Sequence, residues 1–273
     1  MLKGGKVLED MPRKVGDVKR EYDELSKTYD ELGETFESKL EQYFRQELIK
    51  EHLPKDKNAK ILDAGGGTGR TTLPLAEMGY RITLCDLSTG MLDVAREKLG
   101  REGLLEKVEI IEADIASLPF EDDIFDLIIC LAAPLSLADS SKAAKELTRV
   151  LKRNGKIIVD AFGRYQAAIR ELSRNPEVAL KLVKFESNHA YDIHGDWGRV
   201  FSPEELKGLF EGNGIRVIAI YGRFTELLPK EVREAKEWDE KLFSKVFEIK
   251  RCLRNEPSVI GMAEDLILVG EKI

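Results

Sequence analysis

Three short stretches put acidic side chains where apolar runs end, next to residues that make room for a ligand. In ILDAGGGTGR at 61–70 the apolar run stops at Asp63, and Gly65, Gly67 and Gly69 follow at alternate positions. Glycine lets a backbone turn tightly and approach a ligand with no Cβ in the way, and a helix opening there offers free N–H groups. Asp86 closes the run RITLC. A carboxylate at such a strand end can accept hydrogen bonds from both hydroxyls of a ribose, or it can simply cap a helix. In EADIASLPF at 112–120, Asp114 follows a third run and precedes Ile115 and Leu118-Pro119-Phe120. A dinucleotide fingerprint needs Gly-x-Gly-x-x-Gly or Ala, and the sixth position is Arg70 counted from Gly65 and Thr72 counted from Gly67, so the spacing speaks against a nicotinamide cofactor.

A second group lies far downstream. Between Ser187 and Arg199 the chain places His189, Tyr191, Asp192, His194, Asp196 and Trp197, and it holds two of the three histidines of the whole sequence. Imidazole titrates near neutrality, so His194 or His189 is a candidate general base, with satisfied loop residues anchored by Trp197 as the alternative. No third ligand accompanies the histidine pair, and no metal site is expected. Arg164, Arg199 and Arg223 could recognise a carboxylate or phosphate, or be surface charges. Trp238 and Phe243 could build a pocket or a dimer contact, or pack in a core.

The elements that must position these residues alternate in type. Strands are expected at Lys60–Asp63, Arg81–Cys85, Val108–Glu112, Phe125–Leu131 and Lys156–Ala161, with helices at Thr71–Met78, Thr89–Leu99 and Ser140–Leu151 between them. That alternation predicts parallel βαβ units with ligands at the carboxyl ends of the strands. Upstream, residues 18–52 read as helical. Downstream, Arg164–Glu186 reads as one or two helices broken at Pro176, and Ser202-Pro203 with Glu205 forms a capping box for a helix through Glu211. Ile215–Tyr221 and Asp265–Val269 are suited to antiparallel pairing, with a helix near Lys230–Leu253 between them.

The pattern Asp-x-Gly-x-Gly-x-Gly, with Asp86, Asp114 and the segments FDLIIC and VLKRNGKIIVD, resembles the class I S-adenosylmethionine-dependent methyltransferases, in particular the small-molecule, ubiquinone/menaquinone-biosynthesis-like branch. The resemblance implies an α/β, Rossmann-like methyltransferase fold: a mostly parallel sheet with an antiparallel last strand, a helical N-terminal cover and a C-terminal helical insertion. It divides the chain into a cover at 1–56, an S-adenosylmethionine-binding core at 57–162, and a lid, insertion and last two strands at 163–273. It also implies roles. Gly65 and Gly67 would face the methionine portion with Asp63 near its ammonium, Asp86 would hold the ribose with Leu87 against adenine, and Asp114 and Ile115 would frame the adenine. Leu131 and Ala132 would line the methyl-transfer face. YDELSKTYDELGE at 22–34 resembles the segment that lays a tyrosine over the cofactor, Tyr29 being the better match and a helical core tyrosine the alternative. The Asn-Pro-Pro-Tyr-like motif of enzymes that methylate amide or base nitrogens is absent after the fourth strand, where the chain reads LAAPLSL.

Composition narrows the acceptor. The formal net charge is −7 and the pI about 5.3, which weighs against nucleic acid, since a phosphate-binding face is usually basic. The resemblance to the quinone-biosynthesis-like branch implies a small-molecule acceptor with an O- or C-nucleophile. An RNA or protein methyltransferase with a local patch from Arg164, Arg170, Arg174, Lys181 and Lys184 is one alternative, and a non-catalytic S-adenosylmethionine sensor or subunit is another. No run approaches the roughly 18 apolar residues of a membrane span. Three scattered cysteines and no apolar leader predict a cytoplasmic protein. A charged fraction of 34% with three glutamines resembles thermophile proteins, and a homodimer is one use for the C-terminal helix.

Overall fold

The computed structural model describes residues 13–31, 36–192, 195–224 and 240–273. Five parallel strands form its centre: β1 (Lys60–Ala64), β2 (Arg81–Asp86), β3 (Val108–Glu112), β4 (Phe125–Cys130) and β5 (Leu151–Gly163), side by side in the order β3-β2-β1-β4-β5. The reversal of order falls between β1 and β4, the place where open α/β sheets bind ligands. β1 shows why the sheet must be covered on both faces, since Ile61, Leu62 and Ala64 have no exposed surface. The outer strands β8 (Ile215–Arg223) and β9 (Asp265–Lys272) pair with each other antiparallel, and β9 runs antiparallel to β5, as the sequence predicts.

Helices α3 (Thr72–Glu77), α4 (Thr89–Arg101), α5 (Pro134–Leu137) and α6 (Ser140–Val150) follow the parallel strands. Ser88 caps α4 by accepting from Met91 N–H at 3.1 Å, and Asp139 caps α6 by accepting from Lys142 N–H at 3.2 Å. After β5, α7 (Arg164–Glu171) and α8 (Pro176–Val183) are separated at Pro176, and the hairpin of β6 (His189–Tyr191) and β7 (Trp197–Phe201) extends the carboxyl end of β5. α9 (Pro203–Glu211) opens with the predicted capping box of Ser202 and Glu205.

Two expectations need correction. The helical region 18–52 is two helices, α1 (Val15–Leu25) and α2 (Phe36–His52), because hydrogen-bonded turns from Leu25 to Glu31 interrupt the run. β5 begins at Leu151 and absorbs the Asn154-Gly155 turn as an irregularity, with Asn154 at φ +61° and a register shift against β4. The C-terminal insertion is a helix, α10 (Glu240–Leu253), followed by the short α11 (Pro257–Ile260). The predicted stretch before Glu240, with Trp238, lies outside the described residues. α10 packs on α2, where Phe44 stacks on Phe247 with centroids 4.3 Å apart and Lys250 pairs with Glu41 in the interior. Phe243 belongs to this apolar contact.

Candidate active site

The glycine loop bends sharply. Gly65, Gly67 and Gly69 have φ of +71°, +53° and +76°, a region that costs side-chain-bearing residues about 1–2 kcal/mol. Gly65 is required twice over, since a Cβ there would sit 2.4 Å from Cγ of Pro134 on the facing loop. Gly67 points its N–H to Oδ2 of Asp86 at 2.9 Å, and Ser88 points its own to Oδ1 at 2.8 Å. Burial pushes the Asp86 carboxyl up despite these bonds. Each oxygen keeps a lone pair free, so the carboxylate can still accept two further hydroxyls, which suits a ribose diol.

Asp63 does not reach the cleft. Its side chain is buried beneath the loop and accepts from Thr72 Oγ1 at 2.6 Å, and burial pushes its carboxyl up to about 6. It ties β1 to α3, a structural role in place of the predicted ammonium contact. Leu131 is also displaced inward: it belongs to the core on one face of the sheet, and its neighbour Ala132 takes the exposed position.

The N-terminal segment closes the cleft from above. Asp23 accepts from Ser88 Oγ at 2.6 Å and Gly90 N–H at 2.9 Å, docking α1 on the start of α4. Burial acts to raise the Asp23 carboxyl, but these bonds outweigh it and hold it below its ordinary value. Lys19 donates to the Leu87 carbonyl at 3.0 Å. Asp30 accepts from Thr68, Arg70 and Lys98, and Arg70 also donates to the Tyr29 carbonyl at 2.7 Å with its guanidinium over the Tyr29 ring. Tyr29 is thus held over the glycine loop, and Tyr22 lies 6.4 Å from it between centroids.

The resulting cleft encloses about 730 Å³, counting its open mouth. Seven of the residues predicted to touch a cofactor line it together: Tyr29, Gly65, Gly67, Asp86, Leu87, Asp114 and Ile115. Asp114 is held in a tight turn, where its Oδ1 accepts from Ala116 N–H at 2.8 Å.

One wall carries a strained turn. After β4, Ala132 and Ala133 are consecutive left-handed alanines, with φ of +75° and +67°. Asp160 on β5 over-determines this conformation, accepting from Ala132 N–H at 2.9 Å and Ala133 N–H at 2.6 Å. Burial, helped by the charge of Asp265, pushes the Asp160 carboxyl up to about 6.

A second cavity, about 1700 Å³ with its mouth, adjoins the first and shares Tyr22, Tyr29 and Ala132 with it. Its floor is apolar, with Leu25, Ile49, Pro74 and Phe162, and its rim charged. Asp192 and Asp196 reach it from the β6–β7 hairpin, the predicted lid segment. Tyr22 donates to Asp196 Oδ2 at 3.1 Å; burial first, then Asp196, raise the phenol well above its ordinary range. Burial and the charge of Asp192 raise the Asp196 carboxyl in turn.

His189 faces neither cavity. It is buried and stacked on Trp197 with centroids 6.1 Å apart, because β6 turns it into the hairpin. His194 lies outside the described residues. Arg164 is no acceptor ligand either. It is 1% exposed, makes a two-pronged bond to Glu205 at 2.8 and 2.7 Å, and donates to the Leu182 and Ser187 carbonyls. Arg223 does line the second cavity, where it pairs with Asp265.

Sequence reasoning missed Lys19, Ser88 and Met91 in the first cleft and Arg45 in the second, and gave Asp196 no role of its own within the 187–199 segment. Ser88 was legible as the N-cap of α4. Arg45 was not, because nothing local on α2 says which way it faces.

Residues 62–159 match the family model described as a methyltransferase domain. The ubiquinone/menaquinone biosynthesis C-methyltransferase of Pectobacterium atrosepticum is 35% identical over 120 residues, 43% of this chain and 47% of that protein. The demethylmenaquinone methyltransferase of Clavibacter sepedonicus is 34% identical over 134 residues, 48% and 54% of the two chains. The matched stretch thus spans about half the length of these relatives. Among solved structures, a S-adenosylmethionine-dependent methyltransferase of Methanosarcina mazei has TM-score 0.58 at 20% identity, covering 83% of this chain and 97% of that one. The [4+2]-cyclase SpnF has TM-score 0.64 at 18% identity, covering 96% and 97%. Both likenesses speak to the fold.

Proposed function

This chain belongs to the class I S-adenosylmethionine-dependent methyltransferases through its residues 62–159, and from that premise we propose that it methylates a small molecule on oxygen or carbon. The observation that carries the reading is the junction of two cavities at Tyr22, Tyr29 and Ala132. One cavity has the ribose-type carboxylate, the loop without side chains and an apolar ring site. The other has room for an acceptor and opens onto the same point.

S-adenosylmethionine, when bound, supplies an electrophilic methyl group on a sulfonium. Asp86 would hold the ribose, Leu87 and Ile115 would flank the adenine with Asp114 beside it, and Gly65 and Gly67 would let the loop approach the amino-acid portion. The protein's remaining task is alignment of acceptor and methyl, with water kept out by α1 and the tyrosines. Where the acceptor has a proton to lose, Asp196 is the carboxylate we assign to take it, because it lines the second cavity and accepts from Tyr22 at the junction, with burial raising its carboxyl. The fold by itself does not dictate this chemistry, since a cyclase shares it.

No helix among the described residues is long and apolar enough to cross a membrane. The cytoplasm is the setting we propose, on the scattered free cysteines, two of them buried. Calorimetric titration with S-adenosylmethionine, S-adenosylhomocysteine and NAD tests the reading. We expect saturable binding of the first two, weakened about 100-fold in Asp86→Ala. Binding of NAD alone overturns it. Binding without turnover across an acceptor screen would favour a sensor.

A further inference from the structure

Most charges lining the second cavity pair off; among the described residues the exposed Lys50 and the half-buried Arg45 do not. Glu41 is held by Lys250, Asp265 by Arg223, and Asp196 by Tyr22 and Arg13. On the basic side, Arg70 is taken by Asp30. Arg45, from the middle of α2, lines the same cavity and has neither an ion pair nor a hydrogen bond among the described residues. Its Nε is buried without an acceptor. A half-buried guanidinium with no acceptor is unfavourable, because it has given up water without replacement.

Its position is fixed from two sides. Arg45 lies close enough to Tyr29, at the mouth of the first cleft, and to Asp160, behind the Ala132–Ala133 turn, to act on the titration of both. Asp160 is not its hydrogen-bond partner: its oxygens accept from the two alanine N–H groups, and Arg45 makes no bond to it. The guanidinium therefore stands beside the junction of the cavities with its donors unspent, above a floor that includes Ile49, Pro74, Leu75 and Phe162.

We propose that Arg45 is the anchor for an anionic oxygen group on the methyl acceptor, so that the acceptor is an acid with an apolar body: a carboxylate or a phosphate monoester. The planar fork of arginine suits either group. This rests on the methyl-transfer reading above, and it adds what the acceptor must carry. Bound there, the acid supplies the counter-charge the fold omits, and its apolar part lies against the floor.

The test is calorimetry on protein saturated with S-adenosylhomocysteine, titrated with benzoate, phenyl phosphate and neutral benzamide. At least one anion should bind about tenfold or more tighter than benzamide, and which one does distinguishes carboxylate from phosphate. Arg45→Met should remove that discrimination while leaving S-adenosylhomocysteine affinity unchanged, and Arg45→Lys should keep part of it. Equal affinities for all three probes, no binding up to about 10 mM, or discrimination that survives Arg45→Met each overturns the proposal. Should Arg45→Met fail to fold, Arg45→Gln makes the same comparison. Loss of S-adenosylhomocysteine binding in the parent protein would instead defeat the methyl-transfer reading, and the anion series can then be run without it.

Discussion

The two cavities that meet at Ala132 are built in different ways. The first is assembled from the ends of neighbouring parallel strands, so each contributor sits at a fixed place in a local motif: the loop after β1, Asp86 at the end of β2, Asp114 just past β3, Ala132 just past β4. The second draws on α1, α2, the β6–β7 hairpin, β8 and β9, from Tyr22 to Asp265. Apart from Arg70, Thr71, Ala132 and Ala133, which follow β1 and β4, its contributors share no motif with the first, and their geometry depends on how helices far apart in sequence settle on the sheet. In the first cavity recognition falls to backbone and strand-end carboxylates. In the second, long charged side chains largely neutralise one another, and among the described residues Arg45 is left half-buried without an acceptor. A scaffold built this way can keep its cofactor while its acceptor changes.

The largest expected effect concerns a residue that sequence reasoning could place in either camp. Arg164→Ala should cost about 3–5 kcal/mol in chemical denaturation, because it leaves the Glu205 carboxylate without its counter-charge and removes the guanidinium bonds to the Leu182 and Ser187 carbonyls. Glu205 is also the capping-box residue of α9, so the loss reaches beyond one ion pair. A variant as stable as the parent that had lost only acceptor turnover would return Arg164 to the acceptor site and blur the contrast between the cavities.

Gly65→Ala strikes the first cavity. The left-handed φ and the collision with Pro134 together should cost about 2–3 kcal/mol, and displacement of the Pro134 loop should weaken S-adenosylmethionine binding about tenfold. Wild-type affinity and stability would mean that the loop relaxes freely and that the glycine pattern has another cause.

These two positions mark how far the sequence could be read. The alternation of strands and helices follows from periodicity and the residues of the first cavity from glycines and acids at strand ends, where local chemistry fixes geometry; the antiparallel last strand was implied by the family resemblance. Asp63 was misplaced because β1 ends one residue later, so the side chain turns under the loop and meets Thr72. His189 was misplaced because β-pairing with Arg199 decides its face, and a polar, aromatic stretch does not announce a hairpin. Arg45 and Asp160 were missed for the complementary reason: their roles exist only between elements.

Tyr22→Phe sharpens the contrast at smaller scale. Tyr22 lines both cavities, but its hydroxyl serves only Asp196, on the acceptor side. Removal of that bond, worth about 0.5–1.5 kcal/mol, should slow acceptor turnover about three- to tenfold and leave S-adenosylmethionine affinity within about twofold. An equal loss in both would make Tyr22 a cofactor residue.

The smallest effect is a slope. Asp63 has a carboxyl of ordinary value 3.8 in the open chain, and burial beneath the glycine loop pushes it up to about 6, the hydrogen bond from Thr72 opposing. An acid whose pKa is raised by folding binds its proton more tightly in the native state. Its contribution to stability is therefore fully present below about 4 and is lost as pH rises through about 6. Asp160 titrates in the same window, so the parent should lose stability across it by two steps. Asp63→Asn should remove one of them: its denaturation midpoints, measured from pH 4 to 7, should fall less steeply than the parent's, whatever constant offset the amide introduces. Parallel curves would mean that Asp63 keeps its ordinary pKa, hence that water reaches beneath the loop. The carboxylate would then be accessible from the cofactor side, as its sequence position suggests.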